Sequence, residues 1–215
     1  TVYGNERVVE LLLRHGAEIN LQTSNGGTAL MGAAQWGHER VVELLIRHCA
    51  EINQQDSNGA TALMSAAGNG NEQVVDLLIR HGADVNLQSS GGGTALMNAA
   101  SNGHVRVVEL LIRRDADVNL QNSDGDNALM FAAFFNHPAV VWRLLRAGAD
   151  AAVRAENNMT ALQIAKKEGN AECVRVIEEH ASAEAAAEAA AREAERAVAE
   201  AQAARHAEAL LAEEE

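Results

Sequence analysis

"NGATALMSAAGNGN", residues 58–71, is apolar in its middle and bracketed by Asn and Gly, and it has copies 33 residues away on either side. "NGGTALMGAAQWGH" starts at Asn25 and "GGGTALMNAASNGH" at Gly91. The same step links Thr28, Thr61, Thr94, Asn127 and Thr160, each followed by Ala and Leu. It links the Ala pairs at 33/34, 66/67, 99/100 and 132/133, and the Val pairs at 8/9, 41/42, 74/75, 107/108 and 140/141. A stretch that recurs in this way is one unit of a solenoid rather than a lone phosphate-binding loop. Each unit buries its apolar face only by stacking on its neighbours.

The spacing predicts two helices per unit. From Thr28 to Trp36, Leu30, Ala33 and Ala34 fall at helical spacing, and Gly37 ends the run. From Glu39 to His48, Val41, Val42, Leu44, Leu45 and Ile46 form a broad apolar face with charged residues opposite. Small side chains on the first helix let neighbours approach, and bulky ones on the second fill an outer layer, so the stack is expected to curve. "GAEINLQTSNGG" (16–27) and "GADVNLQSSGGG" (82–93) then read as extended links closing in tight turns. Gly26, Gly59, Gly92 and Gly125 recur where a positive φ is expected, and Asn158 takes that place in the last unit.

These residues resemble the ankyrin repeat, whose pattern runs Gly-x-Thr-Pro-Leu-His-x-Ala-Ala, then Gly-His, Val-Val, Leu-Leu and Gly-Ala-Asp-Val-Asn. Here it reads "GGTALMGAAQWGHERVVELLIRHCAEIN" from Gly26, with three close copies, and the resemblance covers residues 1 to about 180. It implies an all-α ankyrin-repeat solenoid, helix-turn-helix plus a protruding β-turn per repeat. The units would be a partial repeat at 1–22, full repeats at 23–55, 56–88, 89–121 and 122–154, and a terminal repeat at 155–180. The family's Thr-Pro-Leu-His is Thr-Ala-Leu-Met in three units, Asn-Ala-Leu-Met at 127–130 and Thr-Ala-Leu-Gln at 160–163. Met31, Met64, Met97 and Met130 are therefore expected to form an adaptable apolar column in the core.

Residues 181–215, "ASAEAAAEAAAREAERAVAEAQAARHAEALLAEEE", contain neither Gly nor Pro to stop a helix starting near Ala171. Ala, Glu and Arg are strong helix formers, so a long helix is expected to project from the repeats as a separate segment. Nine glutamates against three arginines give it −6 of the total charge of −13. Its large apolar residues are limited to Val198, Leu210 and Leu211, too few for a sustained coiled-coil seam. It reads as a solvated spacer or as a helix that docks through its Ala face.

The charge of −13, with Lys only at 166 and 167, argues against nucleic-acid binding, because neutralising phosphates takes clustered cations. Anionic membrane surfaces are disfavoured for the same reason, and no apolar run of 18 residues is present. Cys49 and Cys173 occupy different registers, so neither a disulfide framework nor a metal pair is expected. A reducing, intracellular compartment is the expectation, and the cytoplasm fits it. The sequence begins inside a repeat and so reads as part of a longer protein.

The resemblance implies that a partner binds along the turn tips and the exposed face of the first helices, the concave side. Counting by 33, the last exposed first-helix position holds Tyr3, Trp36, Asn69, Asn102, Phe135 and Glu168, and the one before it holds Val2, Gln35, Gly68, Ser101, Phe134 and Lys167. Tyr3, Trp36 and the cluster Phe131, Phe134 and Phe135 are the expected aromatic anchors, with Asn69 and Asn102 as a polar floor between them. Packing between units near Pro138 is the alternative role for the phenylalanines. Asp124 and Asp126 make the later turn tips acidic, which favours a partner with a basic segment. Trp142 and Arg143 break the second-helix pattern, since Arg143 aligns with Leu44, Leu77 and Leu110. A buried Arg would be costly, so the helix is expected to rotate locally or lie under another element, as a second contact site.

His15, His48 and His81 recur beside Arg14, Arg47 and Arg80, where a basic ladder at helix C-termini is expected rather than a metal site. No nucleophile and base fall where they could converge, and the Gly-rich turns lack a P-loop pattern. The expectation is a noncatalytic module, without cofactor, that binds a protein partner. The alternative is an architectural spacer or assembly segment using the acidic helix.

Overall fold

A computed structural model describes the backbone of residues 4–213 and the side chains of residues 4–200 and Gln202. Every regular element among them is a helix. Five nine-residue helices, α1 (Glu6–Arg14), α3 (Glu39–Arg47), α5 (Glu72–Arg80), α7 (Val105–Arg113) and α9 (Pro138–Arg146), are the second helices of their repeats. The shorter first helices are α2 (Ala29–Gln35), α4 (Ala62–Gly68), α6 (Ala95–Ser101), α8 (Ala128–Phe134) and α10 (Ala161–Glu168). The final helix is α11 (Ala171–Glu213).

Capping chemistry sets where the first helices start. Thr28, Thr61 and Thr94 each accept a hydrogen bond from the backbone N–H three residues on at 3.2 Å, and Asn127 does so at 3.0 Å. A cap of this kind is worth about 1 kcal/mol. In the last unit Thr160 and Gln163 cap each other reciprocally, so the Met-to-Gln change there completes a capping box.

The core repeats with the sequence. First helices α2, α4, α6, α8 and α10 pack in series, as do second helices α1, α3, α5, α7 and α9. The four Ala pairs of the first helices and Leu45, Leu78, Leu111 and Leu144 of the second are buried, as is the Met31, Met64, Met97 and Met130 column. Each buried Leu contributes about 1.5–3 kcal/mol. This is the solenoid that the 33-residue period implies, with repeated helix pairs in place of a single centre.

Polar ladders tie the turns together. Oδ1 of Asn20, Asn53, Asn86 and Asn119 accepts from the backbone N–H of Glu51, Asp84, Asp117 and Asp150 in the next unit at 2.8–2.9 Å. Nε2 of Gln22, Gln55, Gln88 and Gln121 donates both to its own turn and to the backbone carbonyl 33 residues on. Neighbouring turns also touch directly: Ser90 N–H donates to the Asn58 carbonyl at 2.9 Å. That approach requires Gly59, which has φ +74° and whose added Cβ would lie 2.5 Å from the Ser90 nitrogen.

The chain divides into two compact units, Thr1–Ile177 and Glu178–Glu215. The first is the helix stack, and the opening turns of α11 bury Cys173 and Ile177 in it. In the second, every side chain from Ala181 to Glu200 is exposed, and Glu188 pairs with Arg192 one turn on. No helix of the described residues is long and apolar enough to cross a membrane.

Candidate interaction surface

The ends of the first helices carry the variable side chains. Trp36 is the C-cap residue of α2 and is 57% exposed. Asn69 and Asn102 take the same position on α4 and α6, both exposed. Their amides donate back to the carbonyls of Ser65 (2.8 Å) and Asn98 (2.9 Å), which fixes their orientation. Tyr3, expected in this register, lies outside the described residues.

One unit beyond Asn102 the surface opens into a cleft of about 250 Å³. Its wall follows from one column of the repeat, Gly32, Ser65, Asn98, Phe131 and Ile164, where small or polar side chains give way to large apolar ones. Phe131 and Ile164 line the cleft with Met130, Met159, Phe134 and Phe135. Phe131 packs half-buried on the core, while Phe134 and Phe135 are 47% and 49% exposed. The last two meet edge to face, with ring centroids 4.9 Å apart, a favourable aromatic geometry. Packing and exposure thus coexist in one cluster. Met159 and Ile164 escape a reading that follows only aromatics, although counting by 33 from Asp126 and Phe131 reaches both.

Asp126, Asn157, Lys167 and Glu168 supply the polar rim. Asp126 is half-buried, and burial, helped by the charge of Asp124, pushes its carboxyl above the usual Asp range. Asp124 itself is exposed at the turn tip and does not line the cleft. The Asn122 side chain accepts from the backbone N–H of both, at 3.0 and 2.8 Å, and holds the two carboxylates on one loop.

Trp142 and Arg143 lie on the second-helix layer, apart from this group. Trp142 is exposed and Arg143 half-exposed, so among the described residues no element covers them, and in place of the expected local rotation α9 buries the same face as its neighbours through Val140, Val141, Leu144 and Leu145. Helix α9 has the same nine-residue span as α3, α5 and α7, and of the equivalent residues Leu44 and Leu77 are half-buried while Leu110 is buried. Arg143 is half-exposed, and its Nε lies 2.6 Å from Glu109 Oε1, so its charge is neither buried nor unpaired. Its guanidinium also stacks 4.6 Å from the centre of the Trp142 ring.

His15, His48 and His81 cap the C-termini of α1, α3 and α5, and His15 Nδ1 sits 2.8 Å from the Leu11 carbonyl of its own last turn. Among the described residues no group of three His, Cys, Asp or Glu could hold a metal ion. Cys173 is buried, and burial, with the charge of Glu172 beside it, pushes its thiol up to about 11. It donates to Asn136 Oδ1 at 3.6 Å. A thiol held neutral in this way is a poor nucleophile.

A family model for ankyrin repeats (3 copies) matches residues 1–89 and 86–155. No match was found among curated proteins.

Proposed function

This chain belongs to the ankyrin-repeat family, and we propose on that footing that it binds a protein partner along the concave face of turn tips and first helices. Ankyrin repeats are in general noncatalytic protein-interaction modules. The observation that carries the reading is the Phe131/Phe134/Phe135 cleft with Trp36 exposed on the same register. Large aromatic side chains left in water at matched positions are the usual anchors of an interface. The stacked helices hold them in place beforehand, so little ordering entropy opposes binding. At about 10 Å per stacked helix, Trp36 and Phe135 are about 30 Å apart. An extended segment of about nine residues would span that distance. A basic side chain near Asp126 and Asp124 would relieve the repulsion between the two carboxylates, so the partner segment carries one at that end.

The test uses the whole chain and a Trp36→Ala/Phe135→Ala variant as paired baits, with retained proteins quantified by mass spectrometry. Both side chains are about half exposed, so each change should cost about 1 kcal/mol of folding stability and leave the chain folded. A protein held by the natural chain should lose about 30-fold or more in affinity for the variant. If the two baits retain the same proteins equally, the concave-face reading fails.

The second reading, an architectural spacer or assembly segment, is favoured by α11, whose 43 residues run without a break and whose described side chains from Ala181 on are exposed. Under it, removing residues 181–215 abolishes assembly and the Trp36→Ala/Phe135→Ala change does not.

A further inference from the structure

The second-helix layer holds a patch that the concave-face reading leaves unused. Each early second helix neutralises its last Arg with an acid one turn before: Arg14 with Glu10 at 2.6 Å, Arg47 with Glu43 at 2.5 Å, and Arg80 with Asp76. The pattern fails in the next two units. Trp142 stands where the acid should be, so Arg146 has no carboxylate one turn back. Arg143 stands where the Leu should be and takes Glu109 for itself, which removes the acid that would serve Arg113. Two adjacent substitutions thus release two guanidiniums. Among the described residues neither Arg113 nor Arg146 has a carboxylate partner.

The released cations are gathered together. Arg113, Arg143 and Arg146 line one open cleft of about 410 Å³ with Trp142 and Ile112, and Glu109 is its single lining acid. The Trp142 ring, 39% exposed, has the Arg143 and Arg146 guanidiniums 4.6 and 4.8 Å from its centre. Cation–π contact holds both side chains in place and lowers the entropy they lose when an anion binds. The patch therefore carries net positive charge beside an apolar surface, on a chain whose total is −13.

We propose that this Trp142/Arg113/Arg146 patch is a second docking site and that it takes a short acidic peptide segment, two or more carboxylates flanking an apolar side chain. Guanidiniums grip carboxylates through paired N–H donors, and Ile112 with the Trp142 edge receives the apolar group. A nucleic acid is the poorer occupant, because a long polyanion gains from only a few cations here and meets the acidic remainder of the protein.

The probe is an N-acetylated, C-amidated hexapeptide of two leucines flanked on each side by two glutamates. It is titrated into the full chain carrying Trp36→Phe, so that Trp142 is the only tryptophan whose emission is read. The expected result is a saturable emission change that raised salt weakens, with affinity falling about tenfold or more in Arg113→Gln/Arg146→Gln. Those side chains are exposed, so circular dichroism should show the fold intact. No saturable change in the parent, equal affinity in the double variant, equal binding of the peptide with lysines for glutamates, or tighter binding of a single-stranded oligonucleotide would each overturn the proposal.

Discussion

Asp76 shows how much one carboxylate can organise. Burial alone would raise its carboxyl, but hydrogen bonds from Arg114 and Arg80 and their charges prevail, so it titrates below the usual Asp value of 3.8. Both Nη1 and Nη2 of Arg114 lie 2.9 Å from Asp76 Oδ1, reaching across from the C-terminus of α7. A depressed folded-state value means that the stabilisation is complete above the unfolded value and is lost as pH falls through the lower folded one. Asp76→Asn is expected to cost about 0.5–1 kcal/mol at neutral pH, since the group is partly solvated. Urea unfolding should show that difference shrinking below pH 3.8. The sequence places an acid here in the register of Glu10, Glu43 and Glu109. Its link to Arg114, 38 residues on, was not legible there, because the pairing runs between two helices that only stacking brings side by side.

A turn is the element on which the repeats depend most, and its weak point is the residue without a side chain. Gly59 combines φ +74° with a neighbouring backbone 2.5 Å from where a Cβ would stand. Gly59→Ala must therefore strain its own backbone and push the Ser89–Ser90 turn away, at a cost of about 2–3 kcal/mol. Chemical denaturation should report it as a lower midpoint. Positive φ at this column was readable beforehand, down to Asn158 at +63° in the last unit. The close approach was not, nor were the Asn and Gln ladders as links between units. Asn86 bonds to Asp115 and Asp117, 29 and 31 residues ahead, so its partners lie outside any single repeat.

Stacking makes stability along residues 1–177 a sum of neighbour terms, and a helix covered on one side only is held by fewer of them. Val8 and Leu12 of α1 are 50% and 55% exposed, whereas Val41 and Leu45, one repeat on, are 1% each. The side chains are identical and only the neighbours differ. Amide hydrogen exchange should accordingly be fastest in α1 and slowest in the central helices α4 to α7, with protection factors rising inward from α1. Uniform protection across α1 to α9 would contradict the neighbour-sum description.

By itself the sequence determined the repeat, its two helices, their caps and the buried Leu, Ala and Met columns. Each of these depends on residues within about ten positions, or on the same letter returning after 33. It also marked Trp36, Phe131, Phe134, Phe135, Trp142 and Arg143 as departures from the pattern. Only the tertiary structure decided what the departures do, because exposure and partnership depend on the neighbouring unit. It brought Ile164 and Met159 into one cleft with the phenylalanines and gave Arg143 the acid that would have served Arg113, which among the described residues leaves Arg113 without a carboxylate partner in the cleft beside Trp142.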